Sequence, residues 1–425
     1  MTSVDVERSF SLCTHKLVGV VKILSGKMRH KQNNSHKYLC EKNIMCMRPL
    51  LAIEYFYGIF RFPINDFFLH VDIRIKLLSL LISSTWVTSY FVFCFAPLTR
   101  PVMATTADFV DETGWIIIAI QYLMTMLILV LFKNKTNKII VEKFAEIDCA
   151  LQTIINDDFY SESRKDANKL TILYFVSCIL LTVFAITLER DFPIQYLIYL
   201  VIYFERKIEV FMFCHIISML RQRILVINSY FEHFFKNRRT AEESAINNQA
   251  WAKGSIKFIG QVSLKKLKMQ KLVSAYNNVG ELCYSINSVS NVFLLMTFIS
   301  AFIYIICTFW SSLYYLKSNK SFTSLLRVIV FSSAELVSIS SISFYCESIL
   351  VAKNRLKVYL NKTINDYSLP KHTRMQAKSF LEVTLVWPLH IFVFDMFPVN
   401  LKLILDFISV CTSYLVIVVQ ISHLM

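Results

Sequence analysis

Ser413-Tyr414-Leu415-Val416-Ile417-Val418-Val419-Gln420-Ile421 is the stretch on which the reading of this chain turns. It is an apolar helix with a hydroxyl and a Tyr at one end and a lone Gln at the other. Just upstream the pattern extends: Asp406, Ser413 and Gln420 recur every seven residues, and Ser409 falls on the same stripe. At 3.6 residues per turn these four share one face, while the other faces are mostly Leu, Ile, Val or Phe. A single narrow polar stripe on a helix in lipid faces water or a partner. A local alternative stays open for each residue. Ser413 can bond back to its own helix, Gln420 can be an interface residue near water, and Asp406 can cap or pair with Lys402.

Six further apolar stretches precede this one. The seven spans run near 75–96, 115–132, 170–188, 192–220, 292–316, 324–350 and 400–421. Each approaches or exceeds the roughly 20 residues that a hydrocarbon core of about 30 Å demands of a helix. Hydrophobic residues make up 55% of the 425 positions, too many for a soluble chain of this length. The chain has only seven Gly and eight Pro, almost all outside the spans, so the spans are expected to be long continuous helices. The fold class is therefore an all-α integral membrane protein with seven transmembrane helices.

Charge sets the expected orientation. Segments 1–74, 133–169, 205–291 and 351–399 carry 11, 7, 13 and 7 Lys plus Arg, whereas the alternate loops carry only Arg100, Arg190, Lys317 and Lys320. The positive-inside rule then places the N-terminus in the cytosol and the C-terminus outside. The first 48 residues are polar and basic, lack the apolar core of a secretory signal, and read as a mobile tail. None of the 11 Cys lies in an outer loop, which argues against a disulfide framework. Of the glycosylation sequons, only the one at Asn319 is expected to face outward. Between spans four and five, Arg221–Phe235 and Ile256–Tyr284 show helical periodicity, and Lys236–Asn248 between them is polar and expected to be flexible. Lys371–Val386 is another amphipathic helix, after which Pro388, Asp395 and Pro398 break the chain.

The Ser-Tyr, five apolar residues, Gln-Ile ending resembles the signature closing the last helix of insect gustatory receptors, where Thr-Tyr and Gln-Phe flank the apolar run. Ser413 stands for the Thr and keeps its hydroxyl. Ile421 stands for the Phe and loses the ring of an aromatic gate. Span number, orientation and helix length resemble the gustatory and odorant receptor superfamily from about residue 50 onward. The resemblance implies a tetramer, homomeric or with other gustatory receptors, in which cytosolic helix extensions form a central anchor domain. It also implies one shared pore lined by the final helix. The chain then divides into a cytosolic tail (1–48), spans one to four (49–220), cytosolic helical extensions (221–291), spans five and six (292–350), anchor helices (351–399) and a pore-lining last span (400–425). The pore-lining set is Asp406, Ser409, Ser413, Ile417, Gln420 and Ile421, with Ile417 as the hydrophobic constriction and Tyr414 packing the motif. Rings of Asp406 would favour cations.

Glu335 is the other informative position. A carboxylate in mid-span must face protein or a water-filled cavity. It is either a ligand-pocket acceptor or half of a structural pair with Arg327 or with a partner on another helix. Further pocket candidates are Trp86, Tyr90, Gln121, Tyr196, Tyr199, Thr308, Trp310 and Ser332. Their mix of apolar walls and a few polar groups suits a small molecule, although an interfacial aromatic belt or plain packing accounts for any one of them alone.

Nothing reads as catalysis, and no metal or cofactor site is expected. His and Cys form no metal-like array, and so few Gly allow no phosphate loop. Clustered Lys such as Lys265–Lys268 suit anionic membrane lipid or a solvated helix face, not nucleic acid. The expectation is a non-selective cation channel in the plasma membrane of sensory neurons, opened by an external tastant. A plant secondary (bitter) compound is favoured, because the candidate walls are aromatic. The alternatives are a sugar-sensing receptor of the same family, an odorant receptor, a transporter and a seven-span G-protein-coupled receptor. Loop charge opposes the last, and the lack of repeats or interrupted spans opposes a transporter.

Overall fold

A computed structural model describes residues 36–62, 73–95, 106–151, 157–188, 194–247, 269–317 and 322–424. Helix α1 covers 36–56, and α2 is Ile73–Phe95. Helix α3 (Thr106–Met126) runs on through a π-helical turn, Leu127–Phe132, into α4 (Asn134–Ala150). Then come α5 (Asp157–Leu188), α6 (Ile194–Asn247), α7 (Met269–Lys317), α8 (Phe322–Asn365) and α9 (Lys371–Val386). A small antiparallel pair of strands, β1 (Phe392–Val393) and β2 (Phe397–Pro398), precedes the final α10 (Leu401–Leu424).

Six described helices are long and apolar enough to cross a membrane, and the bent α3–α4 pair makes a seventh if it counts as one span. The 70° bend at Lys133 has a local cause. The π turn widens the helix, so the Lys133 N–H reaches the Ile128 carbonyl at 2.8 Å, five residues back. The carbonyl of Leu129 is recaptured by the Asn137 amide at 3.1 Å.

Helix α6 has 54 residues and α7 has 49. At about 1.5 Å per residue each far exceeds the hydrocarbon thickness, so both project beyond it. These two and α8 form the centre. Buried Ile208, Ile217, Leu282, Ile286, Ile339 and Ile349 are part of one continuous core. Helix α5 lies at the edge, where exposed Ile172, Phe175, Val176, Ile179 and Val183 make a surface fit for lipid rather than water.

Two expectations change. The tail does not run structureless to residue 48: α1 starts within it, and Leu39, Cys40, Ile44 and Met47 are buried. Their spacing is helical, but isolated weakly apolar turns cannot show in sequence what they pack against. Nor does helix end at Lys236. Helix α6 continues to Asn247 through Thr240-Ala241-Glu242-Glu243-Ser244-Ala245, a stretch without Gly or Pro and rich in helix formers. The expected helix over 256–268 and the sequon at Asn319 lie outside the described residues.

Candidate functional site

A polar cluster joins four spans at mid-bundle. From α6, Arg206 donates to Ser300 of α7 at 2.9 Å and pairs with Glu335 of α8. Its neighbour Lys207 reaches the same carboxylate at 2.9 Å, the Ser338 hydroxyl at 2.8 Å and the Ala334 carbonyl at 3.2 Å. Ser300 donates to Gln121 of α3, whose amide donates to Thr297 at 2.9 Å. Two cations on one carboxylate in a dry interior need such extra acceptors, because desolvation otherwise exceeds the Coulomb gain. The Tyr203 ring supplies one more favourable surface, 5.2 Å from the Arg206 guanidinium and 4.8 Å from the Lys207 amine.

Glu335 thus has its partners on another helix. The side chain of Arg327 lies outside the described residues. Sequence reasoning missed Arg206 and Lys207 and counted them among the cytosolic basic residues of 205–291. The signal was present: Glu205-Arg206-Lys207-Ile208-Glu209 puts four charges inside an apolar span, and all four are buried. The charge asymmetry between alternate loops survives their removal.

On one side of this cluster lies an aromatic layer. Tyr90 of α2 meets Tyr199 of α6 at 5.2 Å, and Tyr203 packs against Phe331 of α8 at 5.7 Å and Tyr304 of α7 at 6.1 Å. Next to Phe331 in the chain, Ser332 has a buried hydroxyl with no hydrogen-bond partner among the described residues. Thr308 donates back to the Tyr304 carbonyl at 2.6 Å. Tyr90, Gln121, Tyr199, Thr308 and Glu335 are buried, and Trp310 is half-buried. The Trp86 ring lies 5.6 Å from Phe56 of α1. The Tyr196 side chain lies outside the described residues.

Two other buried polar groups knit α1 to the bundle. Arg61 grips Glu54 through Nε, 2.8 Å from Oε2, and also pairs with Glu209 of α6. A small cavity beside this pair is lined by Arg61, Glu209, Asn137 and Ser290 among apolar walls, and none of the pocket candidates borders it. Deeper, Arg223 makes a two-pronged bond to Asp148 of α4, at 3.1 and 3.0 Å, and a third to Asn43 of α1 at 2.7 Å. Tyr160 completes that carboxylate at 2.9 Å.

Among the described residues the last helix is held from one side. Leu403 and Phe407 pack on the core, Cys411 is buried, Phe407 faces Phe298 at 6.4 Å and Tyr414 meets Phe302 edge-on at 5.3 Å. The stripe of Asp406, Ser409, Ser413, Ile417 and Gln420 is exposed on a different face. Ser413 does bond back, to the Ser409 carbonyl at 2.9 Å. The Ile421 side chain lies outside the described residues. Among the described residues Asp406 forms no ion pair, with Lys402 or otherwise. No group of three His, Cys, Asp or Glu suited to a metal occurs among them either. The nine described cysteines form no disulfide.

The fold is shared with solved receptors. The insect olfactory receptor OR5 from Machilis hrabei superposes with a TM-score of 0.58 at 11% identity, covering 93% of this chain and 98% of that one. Its complex with eugenol gives a TM-score of 0.57 at 11% identity, covering 91% and 98%. No curated protein matches by sequence. The model of the 7tm chemosensory receptor family matches residues 47–425. This multi-pass membrane protein belongs to the 7tm chemosensory receptor family.

Proposed function

We propose that the chain is a gustatory receptor acting as a ligand-gated, non-selective cation channel with a cytosolic N-terminus, in the plasma membrane of sensory neurons. Four copies, or a mixture with other gustatory receptors, surround one pore, and an external small molecule opens it. The observation that carries this is the posture of α10: it docks through Leu403, Phe407 and Cys411 and leaves its polar stripe exposed among the described residues. A stripe of that kind in lipid needs water or further copies against it. Around an axis, Asp406 and Gln420 form rings and Ile417 the constriction.

The ligand pocket lies in the aromatic layer that rests on the Arg206–Glu335 cluster. Tyr90, Tyr199 and Tyr203 supply flat apolar walls, and the unpartnered Ser332 hydroxyl supplies a polar contact. Such walls suit an aromatic or alkaloid plant compound better than a sugar, which needs many placed hydrogen-bonding groups. The solved relative's complex with the aromatic eugenol accords with that class.

The test is whole-cell current from cells expressing this chain alone, with surface protein confirmed and G-protein signalling blocked. Eugenol, plant alkaloids and sugars are applied to wild type and Gln420→Ala. A fast ligand-evoked cation current with altered permeation in Gln420→Ala supports the channel and its pore helix. A response that vanishes when G-protein signalling is blocked overturns it.

A further inference from the structure

Between α9 and α10 the backbone is forced into conformations that L residues avoid. Leu389, Phe394 and Asp395 take φ of 53°, 49° and 58°. None is Gly, and such positions persist only where the surroundings over-determine them. Phe394 and Asp395 are exposed, so burial of their side chains does not account for the strained turn.

What holds the segment is mainly one helix. On α7, Asn287 accepts from the Phe392 N–H at 3.0 Å and Asn291, one turn on, accepts from the Phe394 N–H at 3.2 Å. Asn277 accepts from the Trp387 indole at 2.9 Å, and the Trp387 ring sits in the notch that Gly280 leaves, 2.3 Å from where a Cβ would stand. From α8, Lys353 donates to the Pro388 carbonyl at 2.8 Å.

The same α7 then passes between the polar cluster and the last helix. Thr297 and Ser300 belong to the cluster with Gln121 and Arg206, while Phe298 and Phe302 carry the rings that meet Phe407 and Tyr414. A shift of α7 imposed at the cluster therefore acts on the strained segment and on α10 together.

We propose that Trp387–Val399 is a strained latch, clamped shut by Asn277, Asn287 and Asn291, whose release lets the last helix move to the conducting state. This rests on the channel reading. Removing the clamp must favour the open state without any ligand, whereas relieving the strain must favour the closed one.

The test uses the full-length chain in cells and measures current without ligand, normalised to surface protein. Asn287→Ala with Asn291→Ala is expected to raise that current several-fold at unchanged single-channel conductance. Phe394→Gly with Asp395→Gly, on exposed side chains, is expected to lower it, or to oppose the asparagine variant when combined with it. Equal currents in all variants at equal surface density overturn the latch, as do shifts of both pairs in the same direction. If neither wild type nor any variant conducts under any stimulus, the channel reading fails separately, and hydrogen exchange on the purified full chain then decides on the clamp. Faster exchange at the Phe392 and Phe394 amides in the asparagine variant supports the clamp, and unchanged exchange overturns it.

Discussion

Arg206 of α6 and Glu335 of α8 form an ion pair in which each side chain keeps only 1% of its accessible surface. Removing one member strands the other in a dry interior. Glu335→Ala deprives both Arg206 and Lys207 of the carboxylate they share and is expected to cost about 3–5 kcal/mol, as breaking a buried pair does. Thermal unfolding of the detergent-solubilised chain, followed beside Glu335→Gln, measures it. A melting temperature equal to wild type would show that the pair contributes nothing to the fold.

Gly280 and Trp387 make a second test of packing. A methyl group at position 280 would lie 2.3 Å from the Trp387 ring. The ring is pinned by Asn277, so it cannot swing aside without losing that hydrogen bond. Overpacking of this kind costs about 1–3 kcal/mol. Gly280→Ala is expected to lower thermal stability and change Trp fluorescence, and the added variant Trp387→Leu should remove most of the penalty. Failure of Trp387→Leu to rescue would place the clash elsewhere.

The Arg223–Asp148 bond tests the attachment of α1. Both side chains are fully buried, and Asn43 and Tyr160 share the same carboxylate. Asp148→Ala leaves a guanidinium without its anion and is expected to abolish surface expression, at a cost of about 3–5 kcal/mol. Asn43→Ala, which removes only one neutral hydrogen-bonding partner, should lower expression less. Equal loss in the two variants would contradict this ranking.

Cysteine chemistry reports both burial and orientation. Cys149 is exposed, whereas Cys40 is buried. Burial pushes the Cys40 thiol up to about 12, and the nearby carboxylates of Glu142 and Asp148 add to the rise. The reactive thiolate of Cys40 is therefore scarce at neutral pH. A membrane-impermeant maleimide, with sites resolved by mass spectrometry, should label Cys149 only after permeabilisation and leave Cys40 unmodified. Labelling of Cys149 on intact cells would reverse the proposed orientation.

On α10 the expected effects separate function from stability. Asp406 and Ser409 are exposed in the chain, so Asp406→Asn and Ser409→Ala should change subunit stability by no more than about 0.5 kcal/mol. Asp406→Asn should nevertheless reduce the preference for cations over anions, read from reversal potentials in diluted salt. An unchanged reversal potential would remove Asp406 from the pore.

Parts of the site were legible and parts were not. The stripe of Asp406, Ser409, Ser413 and Gln420 repeats along one helix, so its periodicity alone locates its face. Glu335 announced that it needed a partner, because a carboxylate in an apolar span must have one. The identity of that partner was not legible. Arg206 precedes Glu335 by more than a hundred positions, and nothing in the local pattern joins them. The basic residues were instead credited to the cytosolic face, a misreading that the adjacent Glu205 and Glu209 could have prevented.

The sequence by itself determined where the apolar spans lie and which face of the last helix is polar, but not the π turn and 70° bend that break span two after Phe132. Span position and polar face depend on residues within one or two turns of each other and on the thickness of the bilayer. Only the tertiary structure decided that α1 packs within the bundle, that Arg206 and Lys207 answer Glu335, and that three asparagines of α7 clamp the turn before α10. Each of these joins groups far apart in the chain. Their energy comes from desolvation and close packing, which exist only once the helices have met.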